Sequence, residues 1–68
     1  MEFSTKVRFA RECLGMSQEE LARSLNVSFT TINRWENNKT MPNKMAQGVF
    51  EAFCKKNNVI LTESEDNK

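Results

Sequence analysis

The sequence predicts an all-α fold, a compact bundle of four short helices with room for a fifth. Three observations predict it. Apolar residues recur at three- and four-residue spacing in four separate stretches. A Ser or Asn stands in capping position before the second, third and fourth of them, and a Gly or Asn follows where the first three stop. At 68 residues the chain holds one domain, read as residues 1–61 ahead of an acidic tail, 62–68.

The first helix is expected from Ser4 or Thr5 to Leu14, because Phe3, Val7, Ala10 and Leu14 form one apolar stripe. Gly15 follows the last of them and suits a left-handed closing position. The second helix opens on Ser17-Gln18-Glu19-Glu20, a capping box in which the Ser side chain and the third-position Glu satisfy each other's backbone N–H groups. Met16 and Leu21 flank that box as a hydrophobic staple, and Leu21, Ala22 and Leu25 make the buried side. Asn26 is the break, since Asn takes positive φ at lower cost than most residues with a Cβ. Val27 turns inward and Ser28 caps the third helix, Phe29–Glu36, with Val27 and Ile32 repeating the staple. So short a link makes the two helices cross steeply.

The third helix buries Ile32, Trp35 and Glu36. Phe29, Thr30, Asn33, Arg34 and Asn37 share its other face by i+3 and i+4 spacing. Asn38 is a second candidate for positive φ, and Pro42 bars any continuation. Asn43 caps a fourth helix over 44–56, whose apolar positions are Ala46, Val49, Phe50, Phe53 and Cys54. Lys55 and Lys56 suit its negative end. Val59-Ile60-Leu61 either fold back onto the core or meet a partner chain, and the polar tail is expected to be disordered.

Composition narrows the function classes. The net charge is only +1, but it is unevenly placed: nine Lys and Arg against six acids up to Ile60, then three acids against one Lys in the tail. The N-terminus has no apolar signal region and no stretch approaches membrane-spanning length, so the expected location is cytoplasmic with no membrane association. Cys13 and Cys54 form no CxxC pattern and there is no His, which favours two reduced structural thiols over a disulfide or a metal site. The two glycosylation sequons, at Asn26 and Asn38, are accidental in a cytosolic chain. No Gly-rich phosphate loop and no nucleophile beside a base is present, so no enzyme, catalytic residue, cofactor or small-molecule substrate is expected.

The run SQEELARSLNVSFTTINRWENNK resembles the helix-turn-helix of the Cro/lambda-repressor-like, or XRE-type, family. The matching positions are Arg11, Leu14, Gly15, Ser17, Gln18, Glu20, Leu21, Ala22, Val27, Ser28, Ile32, Trp35, Glu36, Asn37, Lys39 and Pro42. The likeness is close over 7–42 and looser in the fourth helix. The family's usual Gly is replaced by Asn at 26 and 38, both loop positions that want positive φ. Members often carry a fifth helix that supports dimerisation, and here only Val59–Leu61 and the tail follow the fourth.

The resemblance implies a lambda-repressor-like fold and a partner, double-stranded DNA. In a motif of this kind the N-terminal part of the recognition helix enters the major groove, where side chains reach base edges. That makes Phe29, Thr30, Asn33 and Arg34 the candidate base contacts. Arg34 can pair with guanine, Asn33 with adenine, and Phe29 can pack on a thymine methyl. Gln18, Ser28, Thr31, Asn37, Lys39, Thr40 and Lys44 are the implied phosphate contacts, Gln18 helped by the free N–H groups of its helix. An ordinary solvated face stands as the bland alternative for the polar residues, and packing against the fold for Phe29. Arg11 and Glu36 are implied as a structural ion pair joining the first and third helices. The expected function is therefore sequence-specific DNA binding as a repressor-like transcription regulator. The rival is an antitoxin-like or other protein-interaction module that uses the Phe9, Cys13 and fourth-helix side, with DNA secondary. A homodimer on a pseudo-palindrome is the default assembly for such motifs.

Overall fold

A computed structural model of the chain describes residues 2–39 and 42–61. Four helices follow in order: α1 (Phe3–Cys13), α2 (Gln18–Leu25), α3 (Phe29–Glu36) and α4 (Lys44–Lys56). The all-α expectation holds, with no strand among the described residues. Thr40 and the tail 62–68 lie outside them.

Local chemistry sets the starts of α2, α3 and α4. Ser17 accepts from the Glu20 N–H while Glu20 accepts from the Ser17 N–H, a complete capping box. Ser28 caps Thr31 and Asn43 caps Ala46 through their side-chain oxygens. The start of α1 is different. It begins at Phe3, ahead of the Ser4 or Thr5 expected, and Glu2 supplies no side-chain cap. Tertiary packing extends it: the Phe3 ring sits edge-on to both Trp35 and Phe50, each at 5.3 Å between centroids. Such pairs outweigh a weak local start signal.

All four helices end in one way. Gly15, Asn26, Asn38 and Asn58 take positive φ, between 58° and 64°. The N–H of the next residue then reaches back five positions: Met16 to Arg11, Val27 to Ala22, Lys39 to Arg34 and Val59 to Cys54, at 2.8–2.9 Å. This is the Schellman closure, which satisfies carbonyls that the helix end leaves free. Gly15, Asn26 and Asn38 were legible from the sequence. Asn58 was not, and its turn carries Val59 back to a buried position while Ile60 points to solvent.

The core lies where α3 meets α1 and α2, with α4 closing against α2. Val7, Ala10, Leu21, Ile32 and Phe50 are fully buried there. Phe9, Leu14, Met16, Val27, Ala46 and Phe53 pack around them partly exposed. One expectation fails. Val49 is not on the buried side of α4 but about half exposed, because Phe50 and Cys54 alone point fully inward. Every side chain that anchors α3 is on one face, which leaves its opposite face outside the fold.

Candidate nucleic-acid interface

That outer face begins at the first residue of α3. Phe29 is half exposed, and Thr30 and Arg34 are exposed. Asn33 and Thr31 are half-buried, because both lean on polar neighbours: Thr31 Oγ1 lies 2.9 Å from Ser28 Oγ. Asn37 follows at the helix end and Lys39 just beyond it, both exposed. Lys44 is exposed at the start of α4. Helix 3 therefore offers an aromatic, a hydroxyl, an amide and a guanidinium on one side. Lysines stand beyond its C-terminal end.

Gln18, the first residue of α2, joins this face from the side. Its carbonyl accepts from the Asn33 amide at 3.4 Å, and Asn33 in turn accepts from Asn37 at 3.1 Å. The N-terminus of α2 and the polar face of α3 are thus one continuous surface. Free N–H groups and the positive end of the helix dipole sit at that terminus, which suits a phosphate.

Beneath the surface lies Glu36, whose side chain is 3% exposed. Arg11 of α1 grips it with two prongs, Nε to Oε2 at 2.7 Å and Nη2 to Oε1 at 3.1 Å. Gln18 adds a third donor, Nε2 to Oε1 at 3.0 Å. Burial alone would raise the carboxyl pKa. The hydrogen bonds from Arg11 and Gln18, with the charges of Arg11 and Arg8, outweigh it and hold the group below its ordinary value. The bond to Glu36 likewise raises Arg11, against a smaller opposing effect of burial. Arg11 also donates to the Met16 carbonyl at 3.2 Å, tying the α1–α2 turn to the same pair.

Two features of this cluster escaped the sequence reading. Arg8 donates to the Glu36 carbonyl at 3.2 Å, so a second arginine of α1 closes the end of α3. Gln18 binds Glu36 as well as facing outward. Arg8 sits one turn before Arg11, which is a signal only once Glu36 is known to lie opposite. Nothing local marks the inward bond of Gln18.

The sequence profile of a family described as helix-turn-helix matches residues 7–45, more than half of the chain. The chain belongs to this helix-turn-helix family, of the XRE type. The matched span contains α1 from Val7 onward, α2, α3 and the start of α4, so it covers every residue of the cluster and of the outer face. The family is one of DNA-binding transcription regulators. The chain is also 44% identical over 43 residues to the HTH-type transcriptional activator BcrR of Enterococcus faecalis. That alignment takes in 63% of this chain but 21% of the relative, so the chain spans about a fifth of that protein's length. No solved structure gives a significant match. No helix among the described residues is long and apolar enough to cross a membrane.

Proposed function

We propose that this helix-turn-helix domain binds duplex DNA with sequence specificity, as the reading element of a non-enzymatic, cytoplasmic transcription regulator. Helix α3 enters the major groove. Arg34 and Asn33 read base edges by hydrogen bonds, and Phe29 and Thr30 contact them by packing. Gln18, Ser28, Thr31, Asn37, Lys39, Thr40 and Lys44 hold phosphates and set the register. The single observation that carries this reading is the division of α3. Ile32, Trp35 and Glu36 lock one face into the core, while Phe29, Thr30 and Arg34 remain exposed beside the N-terminus of α2.

The experiment is a selection of bound sequences from a random duplex pool, with the wild type and Arg34→Ala. The wild type enriches a defined half-site. Arg34→Ala loses preference at one base pair, by about tenfold, and keeps it elsewhere. An unchanged preference profile in that variant removes Arg34 from base reading.

A second reading, that the domain also holds a protein partner or a second copy of itself, is favoured by one observation. Met45 and Val49 expose much of their surface beside a shallow groove of about 280 Å³ lined by Leu25, Val27, Trp35, Ala46 and Phe50. Exposed apolar area of this kind on a small domain marks interaction sites. Sedimentation of the protein with and without duplex, for wild type and Met45→Glu, tests it. An identical monomer in every case removes self-association.

A further inference from the structure

Four side chains form one directed row from the core to the outer face of α3. Glu36 Oε1 accepts from Gln18 Nε2 at 3.0 Å, Gln18 Oε1 accepts from Asn33 Nδ2 at 3.4 Å, and Asn33 Oδ1 accepts from Asn37 Nδ2 at 3.1 Å. The direction of this row has a physical origin. An ionised carboxylate only accepts, whereas an amide has an NH2 on one side and a carbonyl on the other and can be turned either way. Glu36 therefore obliges Gln18 to aim its NH2 inward. The Gln18 carbonyl then faces Asn33, which must answer with its own NH2, and Asn37 must do the same toward the Asn33 carbonyl. Turning any one amide would set two NH2 groups or two oxygens against each other. Arg11, bound to both carboxylate oxygens, keeps the origin of the row charged.

We infer that Glu36 is a positioning residue for base selection: through Gln18 it fixes which way the Asn33 amide faces, and so the order of donor and acceptor that α3 offers to a base pair. This rests on the DNA-binding reading above. An amide reads adenine by donating to N7 while accepting from the N6 amino group. A turned amide presents donor and acceptor in the opposite order and no longer matches adenine in that register. Asn33 still has one N–H and one oxygen lone pair to offer after bonding Gln18 and Asn37. A fixed orientation thus selects one base pair, and a free one accepts more than one. The Gln18 and Asn33 contacts are consequently one device with two jobs, phosphate placement outside and amide orientation inside.

The test is a selection from a random-sequence duplex pool with wild type, Gln18→Met and Glu36→Gln. Gln18→Met keeps the side-chain length and the Arg11–Glu36 pair but cuts the row. The expected result is a roughly tenfold loss of preference at one base pair with the other positions unchanged. A lost phosphate contact does not mimic this, because it weakens binding to all sequences alike. Glu36→Gln, whose amide can meet Gln18 with either end, is expected to relax the same base pair. The orientation itself is read without DNA. The side-chain NH2 resonances of Asn33 shift in both variants relative to wild type. A Gln18→Met profile that matches wild type at every position overturns the inference, as do Asn33 resonances that do not move. If Glu36→Gln does not fold, Gln18→Met decides alone. If the wild type selects no sequence, the DNA reading and the base-selection role both fall. Shifted Asn33 resonances would then mark the row as structural only.

Discussion

Arg11 and Glu36 meet as a two-pronged ion pair between α1 and α3, with the shorter prong at 2.7 Å and the carboxylate side chain 3% exposed. Removing one partner of such a pair strands the other's charge in a poorly solvated place. Glu36→Ala is expected to cost ~3 kcal/mol of folding stability, the low end of the usual range because the Arg11 side chain keeps 21% of its exposure. Urea denaturation reads this directly. An unchanged midpoint would mean that the pair contributes nothing net.

The same carboxyl sets an acid limit. Its folded pKa lies below the ordinary 4.5, so the folded state holds the proton more weakly than the unfolded chain does. The stabilisation is therefore complete above about pH 4.5 and is lost as pH falls through the folded value. Melting temperature should fall from pH 5 towards pH 3, and fall less steeply in Glu36→Gln. Parallel curves for the two proteins would assign the acid sensitivity to other groups.

Gly15 closes α1 at φ +64°, and a Cβ added there meets no heavy atom within 4 Å. The cost of Gly15→Ala is then backbone strain alone, about 1 kcal/mol. Asn26→Gly, at φ 62°, should stay within roughly 0.5 kcal/mol of wild type, since Gly relieves strain but frees the unfolded chain. Equilibrium denaturation of both variants distinguishes this from a steric account, in which Gly15→Ala would cost several times more.

The two thiols should react differently. Cys13 is exposed, whereas Cys54 is buried. Burial and the nearby Glu51 push the Cys54 thiol up to about 11. Thiolate is the reactive form, so Cys54 is protected by both access and protonation at neutral pH. A thiol reagent at pH 8 should label Cys13 promptly and Cys54 only in denaturant. Equal labelling of both in the native protein would show that α4 and the 57–61 turn open readily.

Much of this was legible in the residues. Ser17, Ser28, Asn43 and their partners announced three helix starts, because capping is a local exchange of hydrogen bonds. The outer face of α3 followed from spacing alone. What stayed hidden depends on meetings between distant residues. Phe3 extends α1 only because Trp35 and Phe50 lie across from it. Arg8 reaches the end of α3 across 28 positions, and Gln18 reaches Glu36 across 18. Val49 fits the apolar period of α4 yet stands half exposed, since period says which residues share a face and not how far the neighbouring helix covers it.

Salt dependence shows whether this surface holds duplex DNA through its phosphates. Affinity for a duplex selected from a random pool should fall linearly on a log–log plot against salt. The expected slope is roughly −2 per domain if Lys39 and Lys44 each release a phosphate counterion, and Lys39→Ala should reduce it by about 1. Failure to bind any duplex at low salt, or binding with no salt dependence, would rule out DNA as the ligand of this surface.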